Sequence, residues 1–153
     1  MELSKSLDRR YWFFFLTWLV ALSTSCTEPK NRREDEVRAV LFGIIEADNK
    51  ADLDQVLSYY HEDASLLPPE KSKIEGINNI RKNYERIFDT SVLRLSVQDD
   101  EIIIEGNHAI CTGMTKGTVM LKTDSSIKEI NDKFMMILER HEGTWKIKRL
   151  IWN

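Results

Sequence analysis

Carboxylates are the side chains of this chain that are best suited to chemistry. Glu62 and Asp63 follow a predicted short helix, and Asp132 lies in a predicted strand. A carboxylate that faces a cavity can act as an acid or a base, whereas one in a turn usually bonds to backbone N–H groups. Asp132 is therefore the candidate for a cavity-facing group, with a solvated strand position as the alternative. Asp63 suits a cap or a turn better than catalysis.

Metal and phosphate chemistry find no support in the sequence. His61, His108 and His141 are widely separated and form no HxH or HExxH pair, so we expect no metal site. The glycines form no phosphate-binding loop and no serine lies in a GxSxG turn, so no cofactor is expected. Cys111 lies in an apolar stretch, which favours a small buried side chain over a reactive thiol. No catalytic residue is assigned from these patterns.

The charge of the chain argues against nucleic acid as a partner. There are 22 Lys and Arg residues and 25 Asp and Glu residues, which give a net charge of −3. Both signs are mixed along the chain, so no basic patch is present in the sequence. A mildly acidic domain also has no charge-based attraction to an anionic membrane.

Residues 1–25 have the pattern of a signal peptide. Basic residues precede the apolar run 11–22, which is too short to span a bilayer. The exit resembles a bacterial lipoprotein box, in which Cys26 would become the lipidated N-terminus, although Ser23 stands where an aliphatic residue is usual. The alternative is an ordinary secretory signal cut nearby. We expect an exported protein of the cell envelope or periplasm, joined by the tether 26–33 to a lipid anchor that is its only membrane contact.

The single domain of residues 34–153 opens with helices. Apolar residues between Glu34 and Asp48 recur at helical spacing and mark one buried face. They are Val37, Val40, Leu41, Ile44 and Ile45. Asp52, with Gln55 three residues later, predicts the start of a second, short helix. Gly76 opens a third helix.

Strands follow the helices. Ala64–Leu67 is the first predicted strand, and alternating apolar residues begin at Ser91. Further strands are predicted at 101–105, 108–121, 127–140 and 144–152, with hairpin turns between them, the first at Asp99-Asp100. Helices followed by an antiparallel meander predict an α+β domain with helices on one sheet face. Gly113 and Gly117 within one strand indicate a bend or a close approach of the backbone, and a sharply bent sheet would leave a cavity between the sheet and the helices.

Several short segments, in order and over nearly the whole domain, give a family resemblance. They are ADLD at 51–54, YHEDASLLPP at 60–69, EG at 75–76, GTWKI at 143–147 and IWN at 151–153. With them, residues 34–153 resemble the nuclear transport factor 2 superfamily, and within it the SnoaL-like, ketosteroid-isomerase-related group of the type called domain of unknown function 4440. The resemblance implies a cone-shaped, curved antiparallel or mixed sheet, covered on one face by three N-terminal helices. It also implies a pocket and frequent homodimers, but no single activity.

The residues of this sequence at the catalytic positions of ketosteroid isomerase lack the required functional groups. The resemblance places the catalytic base at Pro68, the oxyanion tyrosine at Ile44 and its acid partner near Met135. None of these side chains transfers a proton or donates a hydrogen bond. Tyrosines that support the oxyanion site do have counterparts, in Tyr60 and Tyr84. The resemblance therefore implies a pocket that persists without isomerase chemistry.

The expected function is an exported domain that binds a small apolar or weakly anionic molecule. The candidate pocket residues are Tyr60, Leu67, Tyr84, Met114, Asp132, Lys148, Leu150 and Trp152. Lys148, Leu150 and Trp152 share one face of the last strand by simple alternation, and the resemblance places this face toward the cavity. Lys148 would then meet an anionic group of the ligand, with a solvated ammonium as the alternative. Two other functions stay open. One is an isomerase or lyase that uses Asp132 or Asp63 as base, and the other is a dimeric interaction module that pairs through the outer sheet face.

Overall fold

The computed structural model of this protein describes residues 30–153. The predicted signal peptide of residues 1–25 and the predicted lipidation of Cys26 lie outside the described residues. Within 30–153, no helix is both long enough and apolar enough to cross a membrane.

The described chain folds as helices packed on one face of a curved sheet. The helices are α1 (Lys30–Lys50), α2 (Leu53–Ser58) and α3 (Ile77–Thr90). The strands are β1 (Tyr60–Leu67), β2 (Ile74–Glu75), β3 (Ser91–Glu105), β4 (His108–Leu121), β5 (Ile127–His141) and β6 (Thr144–Trp152). Their order in the sheet is β2-β1-β6-β5-β4-β3, with β1 parallel to β6 and every other pair antiparallel. The predicted α+β class, with a curved sheet covered on one face by helices, is confirmed, and the sheet is mixed and unclosed.

Helix α1 begins earlier than the sequence pattern predicts. It includes residues 30–33, which were expected to belong to the tether. Arg32 pairs with Glu36 one turn later, at 3.6 Å, which supports helix in this segment. Arg33 lies over the ring of Trp145, 5.4 Å from its centroid, and ties the first turn to the sheet. The segment is therefore part of the domain.

Local signals in the helices are otherwise confirmed. The predicted apolar face of α1 is buried, with Val37, Leu41 and Ile44 at most 3% exposed. Asp52 caps α2, since its Oδ1 accepts a hydrogen bond from the backbone N–H of Gln55 at 3.0 Å. Cys111 is a free and fully buried thiol, as its apolar surroundings predict.

Strands β3 and β4 approach each other closely at two glycines of β4. A Cβ atom added to Gly113 would overlap the backbone oxygen of Gln98, and one added to Gly117 would overlap that of Arg94. Gly117 also has φ +145°, a conformation that side chains with a Cβ rarely adopt. The predicted close approach at these two glycines is confirmed.

The turn predicted at Asp99-Asp100 is wrong, because β3 runs continuously from Ser91 to Glu105. A bulge between Asp99 and Glu101 absorbs the extra residue of this strand. The carboxylate of Asp99 accepts a hydrogen bond from Nε of Arg38 at 3.0 Å, which fastens the bulge to α1. A bulge of this kind increases the local twist, so it adds to the curvature of the sheet.

Candidate ligand-binding cavity

The sheet and the helices enclose a cavity of about 430 Å³. One end of the space between the two layers is filled by side chains at most 3% exposed, namely Val37, Leu138, Trp145 and Ile147. From Leu41 onward, α1 lines the cavity instead. The volume lies within the range of small-molecule sites, and the lining is mainly apolar, as is usual for them.

Asp48 is the buried ionisable group in the lining that stands out. It lies in the last turn of α1, one helical turn after Ile44, and is 9% exposed. Its Oδ1 atom has no hydrogen-bond partner among the described residues. Burial raises the pKa of the carboxyl group to about 8. At neutral pH the group is therefore mainly protonated and can donate a hydrogen bond into the cavity.

Two tyrosines form a hydrogen-bonded pair beside this acid. The hydroxyl groups of Tyr60 and Tyr84 are 2.9 Å apart, and the ring of Tyr84 also packs on Phe88. Tyr84 lines the cavity, and Tyr60 is buried behind it. Burial raises the pKa of both hydroxyl groups further above their ordinary value, so both stay neutral. When one hydroxyl donates to the other, the second keeps a proton for a further acceptor.

Four of the predicted pocket residues line the cavity: Tyr84, Asp132, Leu150 and Trp152. Tyr60 reaches the same region through its bond to Tyr84. Asp132 is half-buried and lines the cavity. Of the two alternatives that the sequence left open for it, a cavity-facing group and a solvated strand position, the structure shows the first. Contact of any of these residues with a ligand stays a prediction.

Lys148 does not line the cavity, contrary to the expected strand alternation. Ile137 pairs with Arg149 and Leu138 pairs with Ile147, so Lys148 is the extra residue of a bulge in β6. Its ammonium group pairs with Asp63 at 2.7 Å. The expected encounter of Lys148 with an anionic ligand group is therefore corrected.

The bulge also changes which residues of β6 share a face. Ile147 is buried in the core, and Leu150 and Trp152 line the cavity, although simple alternation places Ile147 opposite to them. Because of the extra residue, Leu150 and Trp152 lie on the same, helix-covered side of the sheet as Ile147. A one-residue insertion thus exchanges the two faces of the strand.

Leu67 and Met114 also lie outside the cavity lining. Their neighbours Leu66, Pro68 and Thr115 line it, and successive residues of a strand point to opposite faces. Met114 pairs across the sheet with Lys133, and neither residue lines the cavity.

Of the three positions compared with ketosteroid isomerase, two line the cavity and one does not. Ile44 and Pro68 line the cavity. Met135 is 41% exposed on the outer face, whereas its neighbours Phe134 and Met136 line the cavity. Met135 itself therefore does not face the cavity.

Asp63 is outside the cavity and held by Lys148 and His61. Lys148 bonds to its carboxylate at 2.9 Å, and Nδ1 of His61 lies 2.5 Å from it. Lys148, followed by His61, lowers the pKa of this carboxyl group. Asp63 is thus not placed to act on a molecule in the cavity. Within residues 30–153, no three His, Cys, Asp or Glu side chains are grouped so as to hold a metal ion.

Asp48 is the site residue that sequence reasoning missed. It follows Ile44 by four residues, so it continues the stripe of buried positions that Leu41 and Ile44 define. A carboxylate in the buried stripe of α1 is unusual, and this could have marked Asp48 as a site residue. The pattern marks the position as buried, but it does not reveal that the group faces a cavity.

The geometry agrees with the comparisons to known proteins. The SnoaL-like domain family model matches residues 43–148, well over half of the chain. A ketosteroid isomerase-like protein from Erwinia carotovora atroseptica SCRI1043 is 20% identical over 77% of this chain and 92% of its own, with a TM-score of 0.72. A conserved protein from Planctomyces limnophilus DSM 3776 is 21% identical over 80% of this chain and 95% of its own, with a TM-score of 0.75.

A nuclear transport factor 2-like superfamily protein from Salmonella enterica serovar Typhimurium LT2 shares the fold at 14% identity. It covers 82% of this chain and 92% of its own, with a TM-score of 0.73. No curated protein matches this chain. The structural likenesses show the fold, and the family model shows the membership. The cavity, the curved sheet and the matched residues 43–148 together lead to one conclusion: the chain belongs to the SnoaL-like domain family of the nuclear transport factor 2-like fold.

Proposed function

We propose that this domain binds a small, mainly apolar molecule in the cavity and does so without ketosteroid isomerase chemistry. The observation that carries the proposal is an apolar cavity of about 430 Å³ with an unpaired buried carboxyl group, Asp48, in its lining. Natural small-molecule sites combine an apolar lining with a few polar groups that orient the ligand. Ile44 and Pro68 line the cavity, and the resemblance places the isomerase tyrosine and base at these positions. Their side chains supply neither a proton nor an acceptor.

Blocking the cavity is the direct test of this proposal. Val119 lines the cavity, and Val92 lies on the opposite face of β3 from the lining residue Leu93. A bound molecule at 100 times its Kd is expected to add about 2.7 kcal/mol to the free energy of unfolding. We expect a set of uncharged and anionic apolar compounds to include such a ligand, measured by thermal denaturation. Its effect should disappear in Val119→Phe and remain in Val92→Phe.

Two results would contradict the proposal. One is the absence of any stabilisation across the compound set. The other is a stabilisation that Val119→Phe leaves unchanged, because the compound would then bind elsewhere on the protein.

The outer sheet face supports a homodimer as a second property. Ile103 and Ile110 are opposite each other on β3 and β4 and are 50% and 38% exposed. Met135 adds an apolar side chain at 41% exposure. A group of exposed apolar side chains on one sheet face is typical of an interaction surface.

Sedimentation of the native domain is expected to show a dimer, and Ile110→Lys is expected to give monomers, because the new charge would be buried in the interface. Phe42→Lys is the matched control, since Phe42 is 49% exposed on α1, away from that face. A native domain that stays monomeric at high concentration would contradict the dimer.

Export to the cell envelope is part of the proposed function. It is supported by the signal-peptide pattern of residues 1–25 and by Cys26 at its end. In a bacterial host, the mature protein is expected in the membrane fraction, and Cys26→Ser is expected to release it or to block its processing. Recovery of the unprocessed chain from the soluble cytoplasm would contradict export.

A further inference from the structure

We propose that Asp48 makes the cavity selective for an uncharged ligand, whose oxygen accepts a hydrogen bond from the Asp48 carboxyl group. This inference rests on the proposed binding function and specifies its ligand class. The class is that of apolar molecules with a neutral acceptor such as a ketone, an ester or an amide.

The Asp48 carboxyl group has an oxygen atom without a hydrogen-bond partner. Asp48 is 9% exposed and lines the cavity, and its Oδ1 is without a hydrogen-bond partner in the described part of the chain. Buried polar groups in native proteins are almost always paired, so an unpaired one in a binding cavity indicates a missing partner. A ligand oxygen in the cavity can be that partner, since the carboxyl group already borders the space.

The charges around Asp48 favour a neutral partner over an anion. Among residues 30–153, no Lys, Arg or His side chain forms an ion pair with it, and Tyr60 and Tyr84, from β1 and α3, contribute neutral hydroxyl groups. The negative end of the α1 dipole also disfavours an anion at this position. A carboxylate ligand placed here would lose its hydration without gaining a cation.

The other charged groups of the lining do not change this preference. Lys71 and Arg86 are exposed at the cavity edge, and Arg86 donates to Oδ1 of Asn83 at 3.0 Å. Asp132 adds a second carboxyl group to the wall. A ligand that reaches Asp48 therefore lies beside neutral hydroxyl groups, in a cavity that contains two carboxyl groups.

Three naphthalenes of matched shape test the selectivity. They are 2-acetylnaphthalene, a neutral acceptor, 2-isopropylnaphthalene, its apolar counterpart, and 2-naphthoate, the anion. At pH 6 the native domain is expected to bind the acetyl compound about tenfold more tightly than the isopropyl compound, and the naphthoate most weakly. Asp48→Leu should remove the preference for the acetyl compound, and Asp48→Asn should keep it, because the amide retains a donor.

The pH dependence of the preference for the acetyl compound is a second measurement. If Asp48 had only a structural role, this preference would not vary with pH. Since the pKa of Asp48 is about 8, the preference of the native domain for the acetyl compound should decline as the pH rises from 6 to 9. The ionised group no longer donates and repels the ligand oxygen. In Asp48→Asn the preference should not vary over this range. Circular dichroism of each variant checks that it is folded.

The outcomes separate this inference from the proposed function. Equal native affinity for the acetyl and isopropyl compounds, tightest binding of 2-naphthoate, or an acetyl preference that survives in Asp48→Leu would overturn the inference alone. Binding of none of the three compounds would also overturn the inference, and the proposed function fails with it only if the wider compound set gives no stabilisation either.

Discussion

Replacing Asp48 with asparagine is expected to raise the free energy of unfolding by roughly 4 kcal/mol at pH 7. The pKa of this group is about 8 in the folded protein and near 4 in an unfolded chain. At pH 7 the unfolded chain therefore releases a proton that the folded protein retains, which favours unfolding. Asparagine has a similar shape and no proton to release, so the variant does not carry this penalty.

The effect has a defined pH window. Below about pH 4 the carboxyl group is protonated in both states, and the native protein and Asp48→Asn should have similar stability. Between about pH 4 and pH 8 the native protein should lose stability relative to the variant, and above pH 8 the difference should be constant. Urea denaturation at pH 4, 7 and 8.5 measures this difference.

Asp89→Asn is the control for the loss of a negative charge, because Asp89 is exposed on α3. It should change the stability by less than about 0.5 kcal/mol at any of these pH values. Parallel pH profiles for the native protein and Asp48→Asn would show that Asp48 does not retain its proton in the folded state.

Gly117→Ala is expected to destabilise the fold by more than about 4 kcal/mol. The new Cβ would overlap the backbone oxygen of Arg94 on the neighbouring strand, and a backbone atom in a paired strand cannot move aside as a side chain can. The φ of +145° adds strain for any residue with a Cβ. Gly117 pairs with Leu95, which lines the cavity, so we also expect a weaker ligand response in any folded fraction.

Gly106→Ala is the matched comparison. Gly106 also has a positive φ, +57°, but no atom lies within 4 Å of the position of its added Cβ. The free energy of unfolding of Gly106→Ala should therefore fall by only about 1 kcal/mol, from backbone strain alone. The difference between the two variants in chemical denaturation isolates the close approach of β3 and β4. Equal losses would show that these strands separate easily at Gly117.

The features that the sequence predicted correctly are those set by residues close together along the chain. The helical spacing of Val37, Leu41 and Ile44 fixed the buried face of α1, and the Asp52 cap is completed by Gln55 only three residues later. The turns at Gly106-Asn107 and Glu142-Gly143 likewise depend on local residues. The family resemblance then supplied the long-range arrangement that local patterns do not contain.

Two of the errors arise where pairing between strands inserts a residue. Asp100 and Lys148 are each the extra residue of a bulge, and a bulge depends on the register with the neighbouring strand. Alternation counted through Lys148 therefore assigned it to the cavity. Asp48 was missed for a related reason, because whether a buried position faces packed side chains or a cavity depends on the other elements around it.

Helix α1 contributes to two different tasks along its length. Its first half, with Val37, is packed into the solid end of the fold, and its second half, from Leu41 to Asp48, forms a wall of the cavity. Leu41 and Ile44 belong to the buried core as well as to this wall, whereas Ile45 is only partly buried. Because one helix serves both the core and the cavity wall, the shape of the cavity is tied to the stability of the fold.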